Sequence, residues 1–246
     1  MNIVIDQGNS SAKVGVYDRQ KMLVSFIFKP LRIEKIRNIL NEFSISRGIL
    51  STVADVNPDI FNLLASRLTE FIVLDEHTFL PIQIEYRTPQ TLGKDRVAAV
   101  VGAKLLQPGK NLLVIDAGTA ITYDFLDASG CYRWGNISPG MTTRFKALNQ
   151  YTTRLPLLDE NGAIPELGYD TETAIRTGVV CGIIKEIDAY LDEYKSRYPD
   201  ILFFLTGGHS FYFETRLKNS IFADENLVLK GLNEILNYQK KEHVKN

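Results

Sequence analysis

Short β-branched runs closed by an acid and a glycine open both halves of this chain. Asn2-Ile-Val-Ile-Asp6-Gln-Gly8 is echoed by Leu113-Val-Ile-Asp116-Ala-Gly118. A second run with alternating apolar and polar positions follows each. In the first half it covers residues 11–17 and turns at Asp18-Arg19; in the second it covers 120–126 and turns at Asp127-Ala-Ser-Gly130. Third runs cover 22–28 and 131–137. A period of two bounded by turn residues predicts antiparallel hairpins extended into a meander. The spacing then changes. Ile33, Ile36, Ile39 and Leu40 share one helical face within 32–43. Residues 48–53 read as a buried strand. Asn57-Pro58 reads as a helix start, with Asn at the cap and Pro in the first turn, leading into Phe61, Leu64 and Leu68. Residues 71–74 read as another strand. In the second half, Asp170 or Thr171 caps a long helix to about 194, followed by a strand at 201–205 and helices near 211–217 and 226–238. Residues 151–167, with Thr152, Thr153 and Arg154, read as a loop or lid.

Hairpins followed by right-handed βα crossovers predict an α/β chain in which helices cover mixed sheets. The shared pattern predicts a duplication, with halves at 1–108 and 109–246 facing a ligand-binding cleft. The bland alternative is two unrelated α/β domains that share a common strand ending.

Composition narrows the function. The chain of 246 residues has a formal net charge of -1, which gives no electrostatic reason to expect nucleic acid or an acidic membrane surface as a partner. Its two cysteines, Cys131 and Cys181, carry no metal-ligand spacing and no disulfide framework. No secretory signal or membrane span is read, so a reducing cytoplasmic compartment is expected.

The chemistry lies in the strand ends. In Asp6-Gln7-Gly8-Asn9-Ser10-Ser11 a glycine lets backbone N–H groups approach a phosphate, the short side chains add donors, and Asp6 can hold a metal ion or its water. Asp116-Ala117-Gly118-Thr119 repeats that chemistry. Two carboxylates on facing walls suit Mg²⁺ on a nucleotide, because the cation bridges phosphate and carboxylate oxygens. Leu205-Thr206-Gly207-Gly208-His209 is a strand-to-helix diglycine that permits close contact with adenine or ribose. Each motif alone is also an ordinary turn. No Walker or protein-kinase signature accompanies them.

The order Asp-x-Gly-Asn, Asp-x-Gly-Thr, Thr-Gly-Gly resembles the phosphate-1, phosphate-2 and adenosine motifs of the actin, sugar kinase and Hsp70 superfamily. Within it the chain resembles type III pantothenate kinases. The match is carried by Asp6–Ser10, Pro89-Gln-Thr-Leu-Gly-Lys-Asp-Arg96 with Gly102-Ala103, Asp116–Thr119, and Gly135-Asn-Ile-Ser-Pro-Gly140. Two positions depart from the family pattern: Ser10 stands for a threonine and Trp134 for a glycine. The resemblance implies a duplicated ribonuclease H-like fold and phosphorylation of pantothenate by ATP. It implies Asp95 as general base, with Tyr86, Gly93, Lys94, Arg96 and Thr171 at the acceptor substrate. ATP contacts fall on Asp6, Gln7, Gly8, Asn9, Ser10, Ser11, Ala12, Lys13 and Thr119. Asp116 is implied as ligand of a monovalent cation, K⁺ or NH₄⁺, beside Mg²⁺. It further implies a homodimer in which Thr171 serves the neighbouring subunit's site, and insensitivity to coenzyme A. Two rival expectations stand beside it: a superfamily kinase for another small alcohol, and a nucleotide-binding transcriptional regulator without turnover.

Overall fold

The computed structural model describes residues 1–8, 11–52 and 57–243, with side chains as far as Gln239. Two compact units group the chain: Met1–Gly109 with Leu126–Arg133 and the stretch from Asn226, and Lys110–Phe125 with Trp134–Glu225.

The first unit opens with β1 (Asn2–Gln7), β2 (Ala12–Asp18) and β3 (Lys21–Phe28), joined antiparallel in that order. Helix α1 (Ile33–Glu42) then leads to β4 (Arg47–Thr52), and α2 (Pro58–Arg67) leads to β5 (Glu70–Val73). Both later strands add in parallel, giving the order β3-β2-β1-β4-β5. Ile3, Val4 and Ile5 are all fully buried, which is why β1 reads as a continuous apolar run: it is central and covered on both faces. Helix α1 buries Ile36, Ile39 and Leu40, the face its spacing predicts. Asn57 caps α2 by accepting from the Asp59 N–H at 2.9 Å. A two-residue strand β6 (Gln83–Ile84) and a 3₁₀ turn (Pro89–Thr91) precede α3 (Lys94–Leu106).

The second unit repeats the plan. Strands β7 (Leu112–Ala117), β8 (Ala120–Leu126) and β9 (Cys131–Pro139) are followed by α4 (Met141–Gln150) and α5 (Thr171–Arg197). Then come β10 (Leu202–Thr206), α6 (Ser210–Glu214) and β11 (Phe222–Ala223). β6 pairs in parallel with the start of β9 at one edge of this sheet, and the other five strands lie in the order β9-β8-β7-β10-β11, with β7, β10 and β11 parallel. This is the order of the first sheet, position for position, so Asp6 and Asp116 each sit near the C-terminal end of a central strand. The core runs along α5 through Ile175, Val179, Ile183, Ile187 and Leu191, one residue per turn. Asp170 caps this helix: its carboxylate accepts from the Thr173 N–H at 2.8 Å, and the Thr173 hydroxyl accepts from the Asp170 N–H at 3.1 Å.

The last helix, α7 (Leu227–His243), belongs to the first unit, where it packs on α3 and on the sheet. A polar lattice fixes it. Arg47, buried, forms a two-pronged ion pair with Glu70 at 2.6 and 2.9 Å and donates to the Leu236 carbonyl at 2.6 Å. Asn2 donates to Asn233 at 2.9 Å.

Three elements escape the hydrophobic pattern. Helix α4 buries only Met141 and Phe145, too few for a periodic stripe, and β6 and β11 are too short to show any period. The loop expected over 151–167 carries no helix or strand. Val53, placed at the end of the predicted fourth strand, lies outside the described residues.

Candidate active site

In the first unit α3 packs against β4, the strand beside β1, and Asp95 in its first turn acts electrostatically on Asp6 at the end of β1. Asp6 pairs in register with Lys13 on β2 and with the buried Ser51 on β4. Burial and the charge of Asp95 raise the Asp6 pKa to about 7, against the opposing pull of Lys13 and the Ser51 hydroxyl. Asp6 and Asp95 are therefore close enough to sense each other. A carboxylate held so high is short of positive charge, the deficit that a cation or a proton cancels. The Gly8 N–H donates to the Ser11 carbonyl at 3.0 Å, and Ala12 and Lys13 begin β2 behind it. Asn9 and Ser10 lie outside the described residues.

Asp95 occupies the first turn of α3, where the helix dipole favours an acid. Its Oδ1 accepts from the Arg96 N–H at 2.8 Å. That carboxylate lies only 2.5 Å from where a Cβ on Gly93 would stand, so a larger residue at 93 would push the Asp95 side chain aside. Lys94 turns elsewhere. Its ammonium is 4.0 Å from Glu76, and it lines a cavity of about 120 Å³ with Leu74, Leu92 and Val97.

Arg96 is buried, and its guanidinium donates to the Tyr132 hydroxyl at 2.9 Å. It also lies 5.9 Å from the ring centre of Tyr86, which meets Tyr132 edge-on at 6.0 Å. Sequence reasoning assigned no role to Tyr132, because nothing in the local pattern of β9 sets it apart from core.

In the second unit the Asp116 loop is enclosed by backbone. Gly207 has φ of +93°, the left-handed region, and a Cβ there would stand 2.6 and 2.7 Å from the Ala117 backbone and closer still to Asp116 Oδ1. Gly207, the first glycine of the pair, thus presses directly on the Asp-x-Gly ending. The His209 N–H donates to the Ala117 carbonyl at 3.1 Å. On the other flank, Gly140 N–H and the Thr143 hydroxyl both donate to the Thr119 carbonyl, at 3.0 and 2.7 Å. The Asn-Ile-Ser-Pro-Gly140 stretch therefore supports the loop that presents the exposed Thr119. Trp134 points away from that support: it stacks on Phe125 at 5.0 Å and donates to the Tyr194 hydroxyl at 2.7 Å.

A cation fits beside Asp116. Thr206, its register partner on β10, is buried with no hydrogen-bond partner for its hydroxyl among the described residues. One carboxylate and one orphaned hydroxyl oxygen form the start of an oxygen donor set, which suits a hard cation. Among the described residues no group of three His, Cys, Asp or Glu side chains could hold a metal ion.

Thr171, the first residue of α5, is exposed and borders a groove of about 850 Å³ between α4 and α5. Ala147, Leu148, Leu155 and Ile175 make that groove apolar, and Tyr151, Leu167 and Tyr169 stand exposed in the same region of the chain.

Known proteins share both sequence and fold with this chain. Residues 2–193 match the family described as type III pantothenate kinase. A type III pantothenate kinase of Bacteroides fragilis (strain YCH46) is 49% identical over 238 residues, covering 97% of this chain and 98% of the relative. One from Azobacteroides pseudotrichonymphae is 48% identical, covering 98% of each. Among solved structures, a candidate 2-dehydro-3-deoxygalactonokinase from Sinorhizobium meliloti superposes with a TM-score of 0.62 at 12% identity, covering 97% of this chain and 99% of that one. A candidate Baf family transcriptional activator from Campylobacter jejuni superposes with a TM-score of 0.61 at 22% identity, covering 97% and 99%. These two show the fold alone, the actin-like arrangement of sugar kinases, in agreement with the repeated strand order. With a family match over most of its length and near-half identity to curated members, the chain belongs to the type III pantothenate kinase family.

Proposed function

We propose that this kinase phosphorylates pantothenate with Asp95 as the general base, on a site in which Arg96 and Tyr86 hold the acceptor. Family membership makes the chain an ATP-dependent enzyme of coenzyme A synthesis, converting pantothenate to 4'-phosphopantothenate. The observation that carries the finer reading is the electrostatic meeting of Asp95 with Asp6 in the first unit. It puts a helix-terminal carboxylate beside the loop that the resemblance assigns to phosphate.

The primary hydroxyl of pantothenate is a poor nucleophile while protonated. Asp95 takes that proton as the oxygen bonds to the γ-phosphorus; the bond from the γ-phosphorus to the bridging oxygen breaks, and ADP leaves. Arg96 offers a fixed, buried positive charge to the substrate carboxylate or the transferring group, and the Tyr86 ring lines the same place. Gly93 and Lys94 contribute the turn rather than a charged contact, since the ammonium faces Glu76. The residues from Asp6 to Lys13, with Thr119, are assigned to ATP.

Asp6 would hold Mg²⁺ or its water, and Asp116 with Thr206 would hold K⁺ or NH₄⁺. Bound there, these cations neutralise phosphate charge. The exposed apolar groove beside Thr171 supports a homodimer that covers it and shares its sites. Cytoplasmic placement belongs to the same reading, as that of an enzyme of coenzyme A synthesis; separately, among the described residues no helix is long and apolar enough to cross a membrane.

Release of ADP with pantothenate, Mg²⁺ and ATP, with and without potassium, tests the reading. Asp95→Asn is expected to lower kcat by about 10³-fold, as loss of a general base does, with ATP binding retained. A variant within tenfold of the parent would remove Asp95 from the chemistry.

A further inference from the structure

Tyr132 touches both residues assigned to the acceptor, and its backbone pairs with the strand that leads into one of them. Its hydroxyl accepts from the Arg96 guanidinium at 2.9 Å. Its ring meets the Tyr86 ring edge-on at 6.0 Å. Its backbone carbonyl accepts from the Glu85 N–H at 3.0 Å, the residue immediately before Tyr86, while Ile84 pairs with it in register. The side chain is fully buried, so none of these contacts is shared with bulk water. The neighbouring residue strengthens the same strand pairing, since Arg133 forms an ion pair with Glu85.

A buried arginine is useful to a substrate only if its guanidinium is held in one orientation. The side chain has many rotamers, and an orientation not imposed by the protein must be imposed by the ligand at a cost in affinity. Here the guanidinium donates to a phenol that is itself immobilised by strand pairing. We infer that Tyr132 is the positioning residue of the acceptor site, fixing the Arg96 guanidinium and the Tyr86 ring relative to each other through its hydroxyl and its strand. The inference rests on the reading of Arg96 and Tyr86 as substrate residues.

Tyr132→Phe isolates the claim, because it keeps the ring, the edge-on contact and the backbone pairing and removes only the oxygen. Loss of one hydrogen bond to a charged group should raise KM for pantothenate about tenfold, with KM for ATP within about twofold and little change in the melting temperature. Arg96→Lys should also raise KM for pantothenate, and the double variant should be no worse than Arg96→Lys alone, because the hydroxyl acts through the guanidinium. If Arg96→Lys leaves KM for pantothenate unchanged, the substrate reading fails and the inference falls with it. If Arg96→Lys raises it and Tyr132→Phe does not, the inference alone is overturned. It is equally overturned if Tyr132→Phe lowers kcat and weakens ATP and pantothenate alike while the protein melts early, since that is the mark of a core residue.

Discussion

The loops after β1 and β7 stand at the same place in two copies of one strand order, yet the protein surrounds their acids differently. Asp6 has Ser51 as its parallel register partner, and Asp116 has Thr206, so both acids lie beside a buried hydroxyl on the next strand. Beyond that the copies part. Asp6 is set against a second carboxylate, Asp95, and an ammonium, Lys13. Asp116 is set against backbone, with Gly207 pressed to its carboxylate. One acid is thus tuned by charge and the other enclosed by main chain. Duplication supplied two equivalent strand endings, and the elements brought against them, α3 in one unit and the β10–α6 turn in the other, set one acid among charges and pressed the other against backbone.

Crowding that backbone should have the largest effect. Gly207→Ala places a Cβ against the Ala117 backbone in a left-handed conformation, combining overpacking with backbone strain for a loss of roughly 3–5 kcal/mol. Chemical denaturation reads the stability, and the surviving folded fraction should bind ATP at least tenfold more weakly. A fully stable, fully active variant would mean the diglycine has no part in shaping the Asp116 loop.

Removing the charge of Asp6 should act in the opposite direction on stability. Its folded pKa of about 7 lies above the ordinary carboxylate value, so the folded state favours the protonated form. Asp6 therefore carries no penalty below about pH 4, and the penalty grows as pH rises and is complete above about 7. Asp6→Asn is expected to be more stable than the parent by roughly 2–3 kcal/mol at pH 8, with the gain vanishing near pH 4, while activity is lost. Urea denaturation of both proteins across that range checks it. A gain independent of pH would show that burial and Asp95 do not hold the proton.

The smallest effect is expected at the paired hydroxyl. Thr206→Val removes an oxygen that has no partner among the described residues, so stability should change by less than about 1 kcal/mol. The potassium concentration giving half-maximal activation should nevertheless rise. An unchanged potassium response would take Thr206 out of the cation site.

The strand endings, the cap at Asn57 and a helix start at Asp170 or Thr171 were legible in the sequence because each depends on residues within one turn or one strand; the structure settles the cap on Asp170. The actin-like class was legible too, through the resemblance carried by the order of the Asp6, Asp116 and Thr206 motifs along the chain. Helix α4 was not, because two buried side chains make no stripe. Tyr132 was not, because its role comes from Arg96 and Glu85, neither of them near it in the chain. Trp134 left its effect open on paper; the structure turns it onto Phe125 and Tyr194, so its bulk fills space against α5 instead of the Gly140 support.

Local chemistry alone determined that this chain would form two rounds of hairpin, crossover and helix, with an Asp-x-Gly ending after each first strand. Those are short-range consequences of side-chain alternation, caps and glycine. Only the tertiary structure decided that α7 returns to the first unit, that Asp95 stands within electrostatic reach of Asp6, and that a phenol from β9 steadies Arg96. Such juxtapositions arise from helix and strand packing between distant segments, and no local preference encodes them.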